Sequence, residues 1–146
     1  MPRAPLVVLV ALATVVAVGA ASAAKRDWTG SAACGSCHPK QLASWQTTRH
    51  ALTRDRFVAK PQATCLACHG TGEAPAGPAI AVEVGCEACH NAGAAYAEDD
   101  IMRNPPVARA MGLADLSTPR ARTSLCMQCH ARSTTGKAFD PAAKVH

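Results

Sequence analysis

The sequence predicts a mainly α-helical chain with long loops, whose core is filled largely by something other than its own side chains. Three observations carry that expectation. All 8 cysteines fall in four copies of one pentapeptide, Cys-x-x-Cys-His, at residues 34–38, 65–69, 86–90 and 126–130. The large aromatics are only Trp28, Trp45, Phe57, Tyr96 and Phe139, few for a domain that must bury a core of its own. Helix-like stretches alternate with connectors rich in glycine and proline.

The pentapeptide points to its chemistry by elimination. A disulfide framework gives no reason for a histidine after every second cysteine. Zinc sites use Cys-x-x-Cys, but a second such pair or a spaced histidine pair normally completes the tetrahedron. Covalent c-type haem attachment needs this pattern. Two thiols (Cys34 and Cys37, Cys65 and Cys68, Cys86 and Cys89, Cys126 and Cys129) add to the vinyl groups of one porphyrin. The adjoining imidazole (His38, His69, His90 or His130) then turns under the ring to ligate iron. No cysteine is left over. The expectation is four covalent haem c groups with their iron, in a small multihaem cytochrome c whose core is largely four packed haems.

The amino terminus fits this reading. Arg3 precedes an unbroken apolar run at 6–18, and Ala-Ser-Ala at 21–23 supplies small residues for cleavage. That order reads as a secretory signal peptide over residues 1–23, which leaves a tetrahaem domain over 24–146 and places it in the periplasm. The alternative is an uncleaved segment that tethers the protein to the membrane, since the run approaches a spanning length.

Charge excludes one class of partner. The chain carries 15 Lys+Arg against 10 Asp+Glu, a formal +5. Loss of Arg3 lowers this by one, and the propionates of four haems bring the oxidised holoprotein near neutrality. No long basic run is interleaved with aromatics, so nucleic acid is not an expected partner.

Local patterns set the expected elements. "PKQLASWQTTRHAL" starts with Pro39, suited to a first helical turn, and places Leu42, Trp45 and Arg49 on one face. If this helix holds, twelve residues carry His50 about 18 Å from His38. His50 then cannot cap the haem of its own motif; it reaches a neighbouring one, or else it is a surface histidine. Residues 70–85 form a Gly/Pro-rich connector, and 91–106 read as a short helix stopped by Pro105 and Pro106. "STPRARTSLCMQCH" reads as a helix capped by Ser117 or Thr118, with Pro119 in its first turn, that runs into the fourth motif. The linkers of 26, 16 and 35 residues share no period, so the site repeats and the fold does not.

With these residues placed, the chain resembles the tetrahaem cytochrome c-554 family. The resemblance lies in "CGSCHPKQLASWQTTRHA", in "VGCEACHNAG" and in the tail "FDPAAKVH". It implies a helical, loop-rich protein with closely packed haem pairs. It also implies that His50 ligates the haem of another motif, that of Cys86 and His90, and that His146 serves the fourth haem. Where family members carry a further histidine after the third motif, as distal ligand to the first haem, this chain has Asp100. Two spare histidines do not cap four irons, so Met102 and Met111 enter as substitutes, and a ligand from another subunit is an alternative.

The function this implies is electron transfer without catalysis: four haems relay single electrons between a redox protein donor and acceptor. Membrane quinol-oxidising proteins and other multihaem proteins are expected associates, and a homo-oligomer stays open. The alternatives are a haem enzyme or sensor that acts on a small nitrogen or oxygen ligand at an open five-coordinate iron, and a subunit of a haem filament. For the enzyme, the sequence near the first two motifs offers Glu73, Glu83, Arg54 and Arg56 as charged candidates.

Overall fold

The computed structural model describes residues 27–57, 59–74, 76–132 and 140. The signal-peptide reading of 1–23 and the proposed role of His146 fall outside them.

Short helices joined by turns make up the chain. Helix α1 spans Ser31–Gly35, α2 Pro39–Gln46, α3 Ala63–His69, α4 Cys86–His90, α5 Asp99–Met102, α6 Pro105–Ala110 and α7 Pro119–His130. A 3-10 helix covers Ala51–Arg56, and strands β1 (Thr71–Gly72) and β2 (Ala79–Ala81) pair antiparallel within the glycine-rich connector. Four of the helices (α1, α3, α4 and α7) contain every motif cysteine except Cys37, which lies in the turn between α1 and α2.

Two helix ends follow the sequence closely. Pro39 starts α2, and Thr118 caps α7 with its Oγ1 accepting the Ala121 N–H at 3.1 Å. Two other expectations need correction. Helix α2 stops at Gln46 and does not reach His50. Thr47 and Thr48 follow, β-branched residues of low helix propensity. His50 instead stands at the head of the 3-10 helix, and the straight-helix separation from His38 does not apply. Likewise, 91–106 is not one helix stopped by prolines. Residues 94–96 form a turn, α5 is a single turn, and Pro105 and Pro106 open α6. A proline at the first helical position loses only an N–H that had no partner there.

The chain's own core is small. Among the described residues the buried apolar side chains are Trp45, Tyr96 and Ala108, and Thr53, Thr71 and Glu87 are the buried polar ones. The chain wraps a cavity of about 500 Å³ instead of closing on itself.

Candidate haem-binding site

The third motif is the hub of the molecule. Its entry, 83–86, is gripped on every side. Trp45 Nε1 donates to the Val84 carbonyl at 2.9 Å, and the Val84 N–H donates to the His50 carbonyl at 3.1 Å. Thr71 Oγ1 donates to the Glu83 carbonyl at 2.7 Å and accepts the Gly85 N–H at 2.8 Å. Ser31 Oγ accepts the Cys86 N–H at 3.3 Å. A Cβ at 85 would stand 2.5 Å from Ser31 Oγ, so a larger residue there would have to displace the hydroxyl that accepts the Cys86 N–H.

Glu87, the second residue of the motif, is 2% exposed. Its Oε1 accepts the N–H groups of Thr29 at 2.8 Å and Gly93 at 2.6 Å, and its Oε2 accepts that of Gly30 at 2.7 Å. A buried carboxylate is tolerated when charge-assisted hydrogen bonds replace its water. These three tie the segment before the first motif, and the loop after the third, to the third motif itself. Beyond the motif, Asn91 takes a left-handed φ of 68° and donates through Nδ2 to the Gly112 carbonyl. The His90 carbonyl accepts the Ala114 N–H at 3.2 Å and lies 2.9 Å from the Tyr96 hydroxyl.

The motifs meet through their thiols. Cys34 and Cys86 lie within hydrogen-bonding reach, which pairs the first motif with the third. Cys68 and Cys129 do the same for the second and fourth, and Cys89 and Cys126 sense each other electrostatically. Burial, reinforced by Cys86 and Glu87, pushes the Cys34 thiol up to about 11. Burial and Cys68 push Cys129 up to about 11, and burial raises Cys89 as well. No disulfide joins the eight cysteines.

The cavity takes its walls from Cys34, Cys86, Cys89, His38, His50 and His90, with Trp45, Tyr96 and Met102 completing the apolar surface. His50 also faces the fourth motif. Its ring centre lies 6.2 Å from that of His130, with the planes inclined at 71°. Burial, with a smaller contribution from His130, lowers its pKa and favours the neutral, metal-binding form. His69 is exposed and packs edge-on against Phe57 at 5.6 Å.

These residues fit covalently attached haem. Attachment needs two thiols and one imidazole per group, and the histidines of the first and third motifs share a cavity with three of their four cysteines. No three His, Cys, Asp or Glu among the described residues converge as a bare metal ion would require.

The structure therefore brings together His38, His50 and His90, sets His50 against His130, and leaves His69 at the surface. Of the charged candidates near the first two motifs, Arg54, Arg56 and Glu73 are exposed, and Glu83 is engaged with Ser31 at 3.2 Å. Glu87 is the residue that sequence reasoning missed. A carboxylate between the two cysteines of an attachment motif was its only signal.

The family model for cytochrome c554 and c-prime matches residues 33–91, which take in the first three motifs and His50. No curated protein and no solved structure matches the chain. The chain is a c-type cytochrome that resembles the cytochrome c554 family.

Proposed function

We propose that this cytochrome is a periplasmic electron-transfer protein. In this reading its four motifs hold four haems, which relay single electrons in the order first, third, fourth, second. The family resemblance supports an electron carrier with redox partners. The order rests on one observation: the thiols of Cys34 and Cys86 adjoin across the first and third motifs, those of Cys129 and Cys68 adjoin across the fourth and second, and Cys89 and Cys126 lie within electrostatic range between the third and fourth. Each attachment edge thus lies near the next, and the spatial chain departs from the sequence order.

His50 and His130 would together hold the iron of the fourth haem. With metal–imidazole bonds of about 2 Å and roughly 1 Å from each nitrogen to its ring centre, two axial imidazoles on one iron stand about 6 Å apart. The observed 6.2 Å has that spacing. The resemblance implies the third haem for His50; the proximity of His130 favours the fourth.

A denatured mass spectrum of protein matured in a competent host should show four haem additions and no free thiol. The order is tested by removing one attachment site at a time. Without the second site (Cys65→Ala, Cys68→Ala) the other three haems should still exchange electrons rapidly. Without the fourth (Cys126→Ala, Cys129→Ala) the second haem should be stranded. Fewer than four additions, or undiminished reduction of the second haem in the latter variant, would overturn the reading.

A further inference from the structure

We propose that Met102 is the distal ligand of the first haem, so that this iron is held by His38 and a thioether. The inference rests on the haem reading above and goes beyond it, because neither the motif nor the matched segment 33–91 includes Met102.

Three of the chain's methionines are described, and the structure separates them. Met111 is 45% exposed and Met127 is 41% exposed, and neither lines the cavity. Met102 is half-buried and forms part of the cavity wall, together with His38 and Cys34 of the first motif. Its place is set by its neighbours. Met102 closes the single turn of α5, its N–H donating to the Glu98 carbonyl at 2.8 Å. The next residue, Arg103, is held to Asp99 at 2.7 Å and lies within electrostatic reach of Cys37, the second thiol of the first motif. Met102 therefore lines the cavity that His38 and Cys34 also line, and its neighbour Arg103 lies within electrostatic range of Cys37.

The chemistry suits the position. A thioether is a soft ligand that prefers iron to a hard cation and needs no deprotonation. A Met/His pair raises the reduction potential relative to two histidines. The first haem then becomes the high-potential end of a chain whose fourth haem is held by two imidazoles. His90 lines the same cavity, so the third haem is the competing location for the thioether.

The test uses the fully loaded protein. The oxidised wild type should show the weak far-red charge-transfer band of sulfur on ferric iron. Met102→Ala should abolish that band, add one high-spin iron to the low-temperature EPR count and leave four haems attached. Met102→His should restore the low-spin count without the band and lower the midpoint of one haem. Met111→Ala should change none of these. A variant without the first attachment site (Cys34→Ala, Cys37→Ala) should lose the band. Absence of the band from the wild type, its survival in Met102→Ala, or its survival without the first haem would each overturn the assignment. A haem count below four would instead defeat the underlying four-haem reading.

Discussion

The imidazoles of His50 and His130 stand 6.2 Å apart, although one opens a 3-10 helix after the first motif and the other ends α7. Edge-on ring pairs span about 4.5–7 Å, so the two imidazoles stand within that range. The spacing leaves room for an atom bonded to both, and it is the basis for the first two predictions.

Replacing His50 by alanine is expected to convert one low-spin iron to high spin, with all four haems still attached. Low-temperature EPR of the oxidised protein counts the change. Because the His50 carbonyl accepts from the Val84 N–H and the Thr53 hydroxyl, bonds that do not use the imidazole, the variant should keep its fold. An unchanged spin count would reduce His50 to a structural residue.

Acid should act on the same bond late. The pKa of His50 is lowered by burial and by His130, so its neutral form is favoured in the folded chain. For a base with a depressed folded pKa, the associated stability is present above the ordinary histidine value of about 6.5 and is lost as pH falls through the lower folded value. Coordination shifts the release further down. The low-spin signal of the His50-ligated iron should be flat through pH 6.5 and disappear only in more acidic solution. A transition centred at an ordinary histidine pKa would contradict this.

Glu87 should be worth more than any exposed carboxylate of the chain. Glu87→Ala strands the N–H groups of Thr29, Gly30 and Gly93. At roughly 1–3 kcal/mol for each buried donor left unpaired, the loss should be about 3 kcal/mol or more. Glu87→Gln keeps the shape and one acceptor oxygen, and should cost about half as much. Urea midpoints of the holoproteins give the comparison. Similar midpoints for Glu87→Ala and the wild type would show that the three bonds are replaced by water.

Trp45→Phe removes the indole donor to the Val84 carbonyl and keeps most of the buried ring. A cost of about 1 kcal/mol is expected. The local readout is faster hydrogen exchange at the Val84 amide, which bonds the His50 carbonyl. Unaltered exchange there would mean that the strand into the third motif is held without Trp45.

What the sequence revealed, it revealed through covalent spacing and local caps. The four motifs, the proline start of α2 and the Thr118 cap of α7 are properties of a few neighbouring residues, so they can be read directly. The premature end of α2 at Gln46 and the opening of α6 by Pro105 depend on balances between weak local preferences. The β1–β2 pair and the grip of Glu87 on Thr29, Gly30 and Gly93 are meetings of distant segments, and no linear spacing announces them. The same holds for the approach of His50 to His130, and His50 does not stand a straight helix away from His38, because α2 ends at Gln46.

The thiol contacts between motifs also bear on how the protein is made. Cys34 beside Cys86, and Cys68 beside Cys129, are pairs that an oxidant would convert into cross-links, each consuming one thiol from two different attachment sites. A compact chain that met an oxidising compartment before receiving its prosthetic groups would therefore risk blocking all four sites with two bonds. Thiol oxidation proceeds through the thiolate, and burial that pushes Cys34 and Cys129 up to about 11 keeps both protonated at neutral pH. The crowding of thiols from different motifs is thus a hazard during assembly, and the burial that accompanies the crowding slows the damage.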